Sequence, residues 1–185
     1  MPGRNHSVGY TLEPSKDRQF PKEARLNIGD LTIDLANVDF SDLLSDWYWR
    51  VEGQFAPLLM TAFGDLFLRD PDGRVWFLDL VSGEFTVVAN NTDEWAAMFD
   101  NPDTADEWLM PGLVYALIDK GMRLEAGTCY GYRIAPVLGG KIEPDNIEVT
   151  DLSVHFAVTG QIHEQVKDLP PGTPVSAITI DGAKP

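Results

Sequence analysis

The sequence predicts a single compact α+β domain in which an antiparallel β-sheet packs against helices. Apolar runs separated by turn signals around residues 58–88 are typical of a meander of consecutive strands. Several capped helix starts follow this region, and neither an internal repeat nor a low-complexity linker divides the chain. The 185 residues suffice for one domain with a sizeable core.

The predicted meander is defined by its turns. The turn at residues 69–74 places Pro71 where φ near −65° is required and Gly73 where φ can be positive. A second turn, at residues 81–84, contains Ser-Gly. The strand between these turns, residues 75–80, is too apolar to have one face in water. We therefore expect both faces of the sheet to be covered.

Residues 1–45 are expected to form an N-terminal tail that precedes the main domain. Residues 1–25 are polar and rich in Pro, Lys and Arg. Apolar residues at positions 31, 33 and 35 alternate with polar ones, which predicts a short strand. Residues 37–46 are typical of a helix start in which Asp39 or Ser41 is the N-cap.

Aromatic residues are concentrated just before the meander. Trp47, Trp49, Val51 and Phe55 follow one another at mostly odd spacing, which predicts a strand or an extended buried segment. Tryptophans of this kind are most often core residues. The alternative is a small-ligand-binding module in which Trp47 and Trp49 line an open cleft.

Helix signals are strongest after the meander. Asn91 or Thr92 can cap a first helix, which Asn101-Pro102 ends. A second helix starts at Asp103 and must break or restart at Pro111, and Gly121 is a suitable end. Further along, the sequence predicts an extended stretch at 127–140, a short strand at 145–149, a long helix at 151–168 capped by Thr150 or Asp151, and a final strand at 175–180.

The chain is strongly acidic. It has 29 Asp and Glu against 14 Lys and Arg, a net charge of −15. Such a surface repels nucleic acid and anionic lipid and attracts basic proteins, although acidity can also serve solubility alone. Cys129 is the only cysteine, and no signal peptide or membrane-spanning run is evident. We expect a cytoplasmic protein.

No catalytic motif is complete. His163-Glu164 begins a zinc-protease pattern, but Lys167 occupies the place of the second ligand. His155 and His163 lie on the same predicted helix, about 12 Å apart along its axis, so they cannot bind one metal together. We expect no enzyme and no cofactor. The alternative is a hydrolase or metal-dependent enzyme that uses His155 or His163 with a nearby carboxylate.

Carboxylates are unevenly distributed. Residues 93–107 contain six of them and no Lys or Arg. Helix caps and dipoles explain several, yet together they would give one side of the domain a concentrated negative field, which we call the acidic face. The candidate partner-binding residues are Glu84, Asp93, Glu94, Asp100, Asp103, Asp106 and Glu107.

Several segments resemble a known bacterial family. Residues 61–67 (TAFGDLF), 75–79 (VWFLD) and 82–84 (SGE) look like the core of the DUF1851 family, which is associated with Tdi1-like immunity proteins of type VI secretion effectors. Residues 130–140 (YGYRIAPVLGG), Asn146-Ile147 and the helix with His155 and Gln161-Ile162-His163 are similar to its C-terminal pattern. The resemblance implies a Tdi1-like domain at 46–185, with a weaker GAD-like match before it.

This resemblance implies function by binding. Such families distantly resemble the SUKH (SMI1/KNR4-like) immunity proteins, which implies an antiparallel sheet packed by helices. It also implies a cytoplasmic protein that neutralises a co-encoded toxin, a DNase for Tdi1-like members. A nuclease must be basic to hold phosphates, so an acidic inhibitor suits it.

Overall fold

A five-stranded antiparallel sheet organises the fold of this computed structural model, which describes residues 26–170 and 172–182. The expectations for residues 1–25 lie outside the described residues. The strands are β1 (Thr32–Ile33), β2 (Ala56–Thr61), β3 (Leu66–Arg69), β4 (Val75–Leu78) and β5 (Phe85–Ala89), paired in chain order. The α+β class and the predicted meander are confirmed.

The turn between β3 and β4 is held by one carboxylate. Asp70 accepts hydrogen bonds from the Arg74 backbone N–H and the Trp76 indole N–H, both at 2.9 Å. Gly73 has a φ of +91°, the left-handed conformation that the Pro-Asp-Gly sequence predicts. Local turn chemistry thus fixes the register of the hairpin.

Both faces of the sheet are covered, as the apolar strands predict. Leu66 and Leu68 of β3 join one core cluster, with Trp47 and Phe156. Phe67, between them in sequence, joins another cluster on the opposite face with Trp108. The alternation follows from the period of two residues in a β-strand.

Three helices follow β5, and the first two cover the face of the sheet that carries Phe67, whereas the third packs against Ala62, Phe63 and Tyr130. They are α3 (Thr92–Met98), α4 (Pro102–Leu109) and α5 (Pro111–Asp119). The Asn91 side chain accepts a hydrogen bond from the Glu94 N–H at 2.8 Å, and Asn101 caps α4 in the same way. The second helix starts one residue before the predicted Asp103, because Pro is suited to the first helical turn.

A second, two-stranded sheet links α5 to the last helix. It pairs β6 (Thr128–Tyr132) with β7 (Ile147–Asp151), and the Tyr130 N–H donates to the Ala62 carbonyl at 2.9 Å. Helix α6 (Leu152–Val166) follows directly, capped by Asp151, whose side chain accepts from the backbone N–H groups of Ser153 and Val154. The predicted long helix is present. The stretch expected to be extended at 127–140 is a strand only over Thr128–Tyr132 and contains a 3₁₀ turn at Pro136–Leu138. The strand predicted at 145–149 instead spans Ile147–Asp151 and follows a 3₁₀ turn at Pro144–Asn146.

The residues before β2 differ from their prediction in part. Helices α1 (Ile28–Leu31) and α2 (Phe40–Leu43) flank β1, and Asp39 caps α2 as expected. Of the two alternatives predicted for residues 47–55, a strand or an extended buried segment, the strand is wrong. A 3₁₀ turn at Ser45–Trp47 occupies its start, because the buried Trp47 indole N–H reaches the Phe156 carbonyl on α6 at 3.1 Å. A contact 109 residues away in sequence overrides local spacing.

The final strand predicted at 175–180 is also absent from the described residues. The segment 178–182 runs beside α6 and bonds to glutamine side chains instead of to a neighbouring strand.

Candidate functional site

The acidic face lies on α3, α4 and the turn between them. Asp93 and Glu94 occupy the first turn of α3, Asp100 follows that helix, and Asp103, Asp106 and Glu107 lie on α4. All six side chains are exposed. Glu84 is exposed too, but it belongs to the turn before β5 and not to these helices.

Aromatic packing fixes these helices to the sheet. The Phe67 ring of β3 lies 5.4 Å from Trp95 and 4.9 Å from Trp108, measured between ring centroids. Phe99 contacts Trp95 and Trp108 at 5.4 Å and 5.3 Å. The carboxylates therefore stand on a backbone held by a ring cluster, which favours a preorganised surface over a mobile one.

The acidic face has no ion-pair partner within the part of the chain that the structure describes. None of the ion pairs found there includes any of its six carboxylates. Along the sequence no Lys or Arg lies between Arg74 and Lys120. Glu94 accepts hydrogen bonds from the backbone and side chain of Asn90 at 3.0 Å each, so part of its role is local.

The helix dipoles divide the five carboxylates that lie within α3 and α4 into two groups. Asp93, Glu94 and Asp103 lie in first turns, where negative charge stabilises a helix. Asp106 and Glu107 lie near the C-terminal end of α4, where the dipole disfavours negative charge. Local stability therefore explains the first group and leaves the second unexplained.

His163 has a structural role. Its Nε2 atom lies 3.0 Å from the Leu80 carbonyl, and its ring centroid lies 5.6 Å from that of the fully buried Trp47. Burial lowers the pKa of His163 below its usual value. The imidazole ties α6 to the residues that follow β4.

His155 lies in the core near the start of α6. Burial lowers its pKa to about 4, so it is neutral near pH 7. Its ring packs against Gly64 and Gly131, where an added Cβ would come within 3.3 Å and 3.1 Å of ring atoms. Its Nε2 atom has no hydrogen-bond partner among the described residues. No cluster of three or more His, Cys, Asp or Glu suited to a metal occurs in the described ranges.

The tryptophan cleft considered from the sequence is closed. Trp47 is fully buried and stacks on Trp49 at 5.9 Å between ring centroids. The Trp49 ring is in turn contacted by the Arg50 guanidinium carbon and the Lys167 Nζ, at 5.6 Å and 5.0 Å from its centroid. Both rings are therefore used in packing and cation–π contacts.

One buried carboxyl escaped the sequence-based search. Asp65 accepts hydrogen bonds from the Leu80 N–H at 2.9 Å and the Thr61 hydroxyl at 3.0 Å. Burial, followed by the charge of Asp79, raises the pKa of Asp65 to about 7. A single carboxylate between apolar residues 62–63 and 66–68 was the available signal.

Asp65 and the two histidines make opposite contributions to stability as the pH changes. The raised pKa of Asp65 means that its contribution is full below about pH 4 and is lost as the pH rises to about 7. The depressed pKa values of His155 and His163 mean that their contributions are present above about pH 6.5 and are lost on acidification.

Replacing Asp65 with Asn should therefore steepen acid destabilisation. In the variant only His155 and His163 remain of these buried titrating groups, and both destabilise the protein on acidification. The variant should therefore lose stability relative to the parent protein as the pH falls from 7 to 5, because it lacks the opposing contribution of Asp65. The limit for one group is about 1.4 kcal/mol per pH unit. Urea unfolding at pH 5, 6 and 7 measures this difference. A difference in the free energy of unfolding between parent and variant that is the same at all three pH values would contradict a raised pKa of Asp65.

Two grooves among the described residues lie away from these side chains. One, of about 320 Å³, is lined by Asp46, by Gln161, Glu164 and Gln165 on α6, and by Thr179 and Asp181. The other, of about 270 Å³, lies between α1 and α5 near Arg123 and Tyr130. Neither includes a residue of the acidic face or either of the two histidines.

Comparison with known proteins finds a family match for one region of the chain. Residues 89–163 match the family described as the C-terminal part of the T6SS (type VI secretion) immunity protein Tdi1, and no curated protein matches the chain. The matched region covers less than half of the sequence and contains α3, α4, the two-stranded sheet and both histidines of α6. Within the described residues no helix is long and apolar enough to cross a membrane. Residues 89–163 are thus similar to the C-terminal part of the type VI secretion immunity protein Tdi1.

Proposed function

We propose that this protein is a non-enzymatic immunity protein that binds and neutralises a co-encoded basic toxin through its acidic face. The observation that carries the proposal is the pair Asp106 and Glu107, which are exposed, form no ion pair with any described residue and lie near the unfavourable end of α4. Charges that cost local stability are often kept for binding. The family match over the same residues supports this role.

The chemistry of the partner follows from the charge. A nuclease holds phosphates with Lys and Arg, so a rigid surface of carboxylates can occupy the same cations and exclude nucleic acid. Such complementarity speeds association and orients the partner. The same negative charge disfavours binding of the protein to nucleic acid or to anionic membranes. The proposal places the encounter with the toxin in the cytoplasm.

A charge-reversal variant tests the proposal in cells. Asp100→Lys/Asp106→Lys/Glu107→Lys places cations near helix C-termini, so it should fold at least as stably as the parent protein. The co-encoded toxin is expressed together with each version, and survival is counted. The parent protein should protect, and the triple variant should lower survival at least tenfold.

The matched control changes the same net charge elsewhere. Glu52→Lys/Glu125→Lys/Asp168→Lys replaces three exposed carboxylates outside the acidic face. This control should protect as the parent protein does. Equal protection by both triple variants would exclude the acidic face as the binding surface, and no protection by the parent protein would exclude immunity against that toxin.

A further inference from the structure

Two glutamine side chains of α6 bond to the backbone of the segment that follows it. The Gln165 amide donates to the Thr179 carbonyl at 2.8 Å and accepts from the Thr179 N–H at 3.1 Å. The Gln161 amide donates to the Asp181 carbonyl at 3.3 Å and accepts from the Asp181 N–H at 2.8 Å. Each glutamine thus pairs with one residue as a neighbouring strand would.

The spacing of the two amides matches an extended chain. Residues four apart on a helix are separated by about 6 Å along the axis. Residues two apart on a strand are separated by about 6.6 Å, and their backbone groups point to the same side. Gln165 therefore faces Thr179 and Gln161 faces Asp181, in antiparallel order. The helix side chains offer the donors and acceptors that a short strand edge would offer.

Both side-chain amides also bond to groups outside the segment. The Gln161 Nε2 also donates to the Asp46 carboxylate at 3.0 Å. The Gln165 Nε2 donates to the Gln161 backbone carbonyl at 3.0 Å. Contacts of this kind lower the conformational cost of binding, as in other preorganised sites.

The occupying segment lies at the surface. Ile178 is partly buried, and Val175 and Ile180 are each 38% exposed, so the segment packs against the domain without entering its core. The hydrogen bonds lie at the surface, where water competes for them. An exchange of occupant therefore needs no rearrangement of the core.

We propose that Gln161 and Gln165 form a binding site for an extended polypeptide segment, which they recognise through its main chain, and that residues 178–182 are an exchangeable internal occupant. The mode is strand addition, with helix side-chain amides in place of a strand edge. The site is separate from the acidic face and does not depend on the toxin.

A peptide with the sequence of residues 173–182 tests the site. In the full chain, Thr179→Pro/Asp181→Pro removes both N–H donors of the internal segment and leaves the glutamines intact. Fluorescence anisotropy of the labelled peptide should show saturable binding to this variant, at least tenfold tighter than to the parent protein. Adding Gln161→Met/Gln165→Met, which keeps side-chain length, should weaken that binding at least tenfold. Peptide affinities that are equal for all three proteins would overturn the proposal.

Hydrogen exchange on the unmodified full chain gives an independent test. The Thr179 and Asp181 amides should exchange more slowly than unprotected amides, and Gln161→Met/Gln165→Met should speed both at least fivefold. Amides that exchange in the parent protein at the unprotected rate would show that the site is not occupied, and would overturn the proposal.

Discussion

Replacing Trp47 with alanine should lower the free energy of unfolding by about 3–5 kcal/mol, the usual cost of removing a large buried aromatic side chain. Trp47 is fully buried in the core cluster that contains Leu66, Leu68 and Phe156. Its indole N–H bonds to the Phe156 carbonyl, and its ring contacts His163. The substitution leaves a cavity where α6 meets the sheet.

Trp49→Ala is the matched comparison for this experiment. Trp49 stacks on Trp47 but is only partly buried, so its loss should cost less. Chemical denaturation of both variants measures the two costs. A Trp47→Ala cost below about 1.5 kcal/mol, or one equal to that of Trp49→Ala, would contradict a packing role at the centre of the core.

Replacing Gly160 with alanine should cost about 3 kcal/mol, the upper part of the range for overpacking. An added Cβ would lie 2.5 Å from the Asp46 backbone oxygen and 2.9 Å from its carbonyl carbon. Backbone atoms cannot rotate away, so α6 must shift. This clash outweighs the gain in helix propensity of about 1 kcal/mol from Gly to Ala.

Gly29→Ala is the control for helix propensity. Gly29 lies in α1, and nothing comes within 4 Å of an added Cβ there. This variant should be neutral or slightly stabilising. Thermal or urea unfolding of both glycine variants provides the comparison. A stable Gly160→Ala protein would show that α6 does not pack on residue 46 as closely as described.

Local signals predicted much of the fold. Asn91, Asn101 and Asp151 cap helices that begin within a residue of their expected starts, because capping depends only on neighbouring backbone groups. The Pro-Asp-Gly turn and the alternation within β3 fixed the meander for the same reason.

Features that depend on distant partners were missed. Residues 47–55 carry a strand-like pattern, yet the bond from Trp47 to Phe156 bends the chain into a 3₁₀ turn. The final segment was expected to pair with a strand, and it pairs with Gln161 and Gln165 instead. Asp65 was not singled out in the sequence, because its burial depends on the surrounding fold. None of these contacts has a periodic signature in the sequence.

The candidate binding surface was predictable only as a pattern of charge. Asp103, Asp106 and Glu107 all lie exposed on α4. The sequence also showed that this region lacks Lys and Arg. Asp106 and Glu107 could be recognised as unfavourable to the helix dipole only once the end of α4 was known. This position is the reason to assign them a binding role and not a role in helix stability.

The association rate constant with the co-encoded toxin, measured by stopped flow between about 50 mM and 500 mM NaCl, tests the central claim most directly. The account predicts that salt lowers the rate constant at least tenfold for the parent protein. It also predicts that Asp100→Lys/Asp106→Lys/Glu107→Lys starts at a low rate with little salt dependence, whereas Glu52→Lys/Glu125→Lys/Asp168→Lys keeps most of the parent's response. A rate constant that does not change with salt, or that is equal in the two triple variants, would contradict binding through the acidic face.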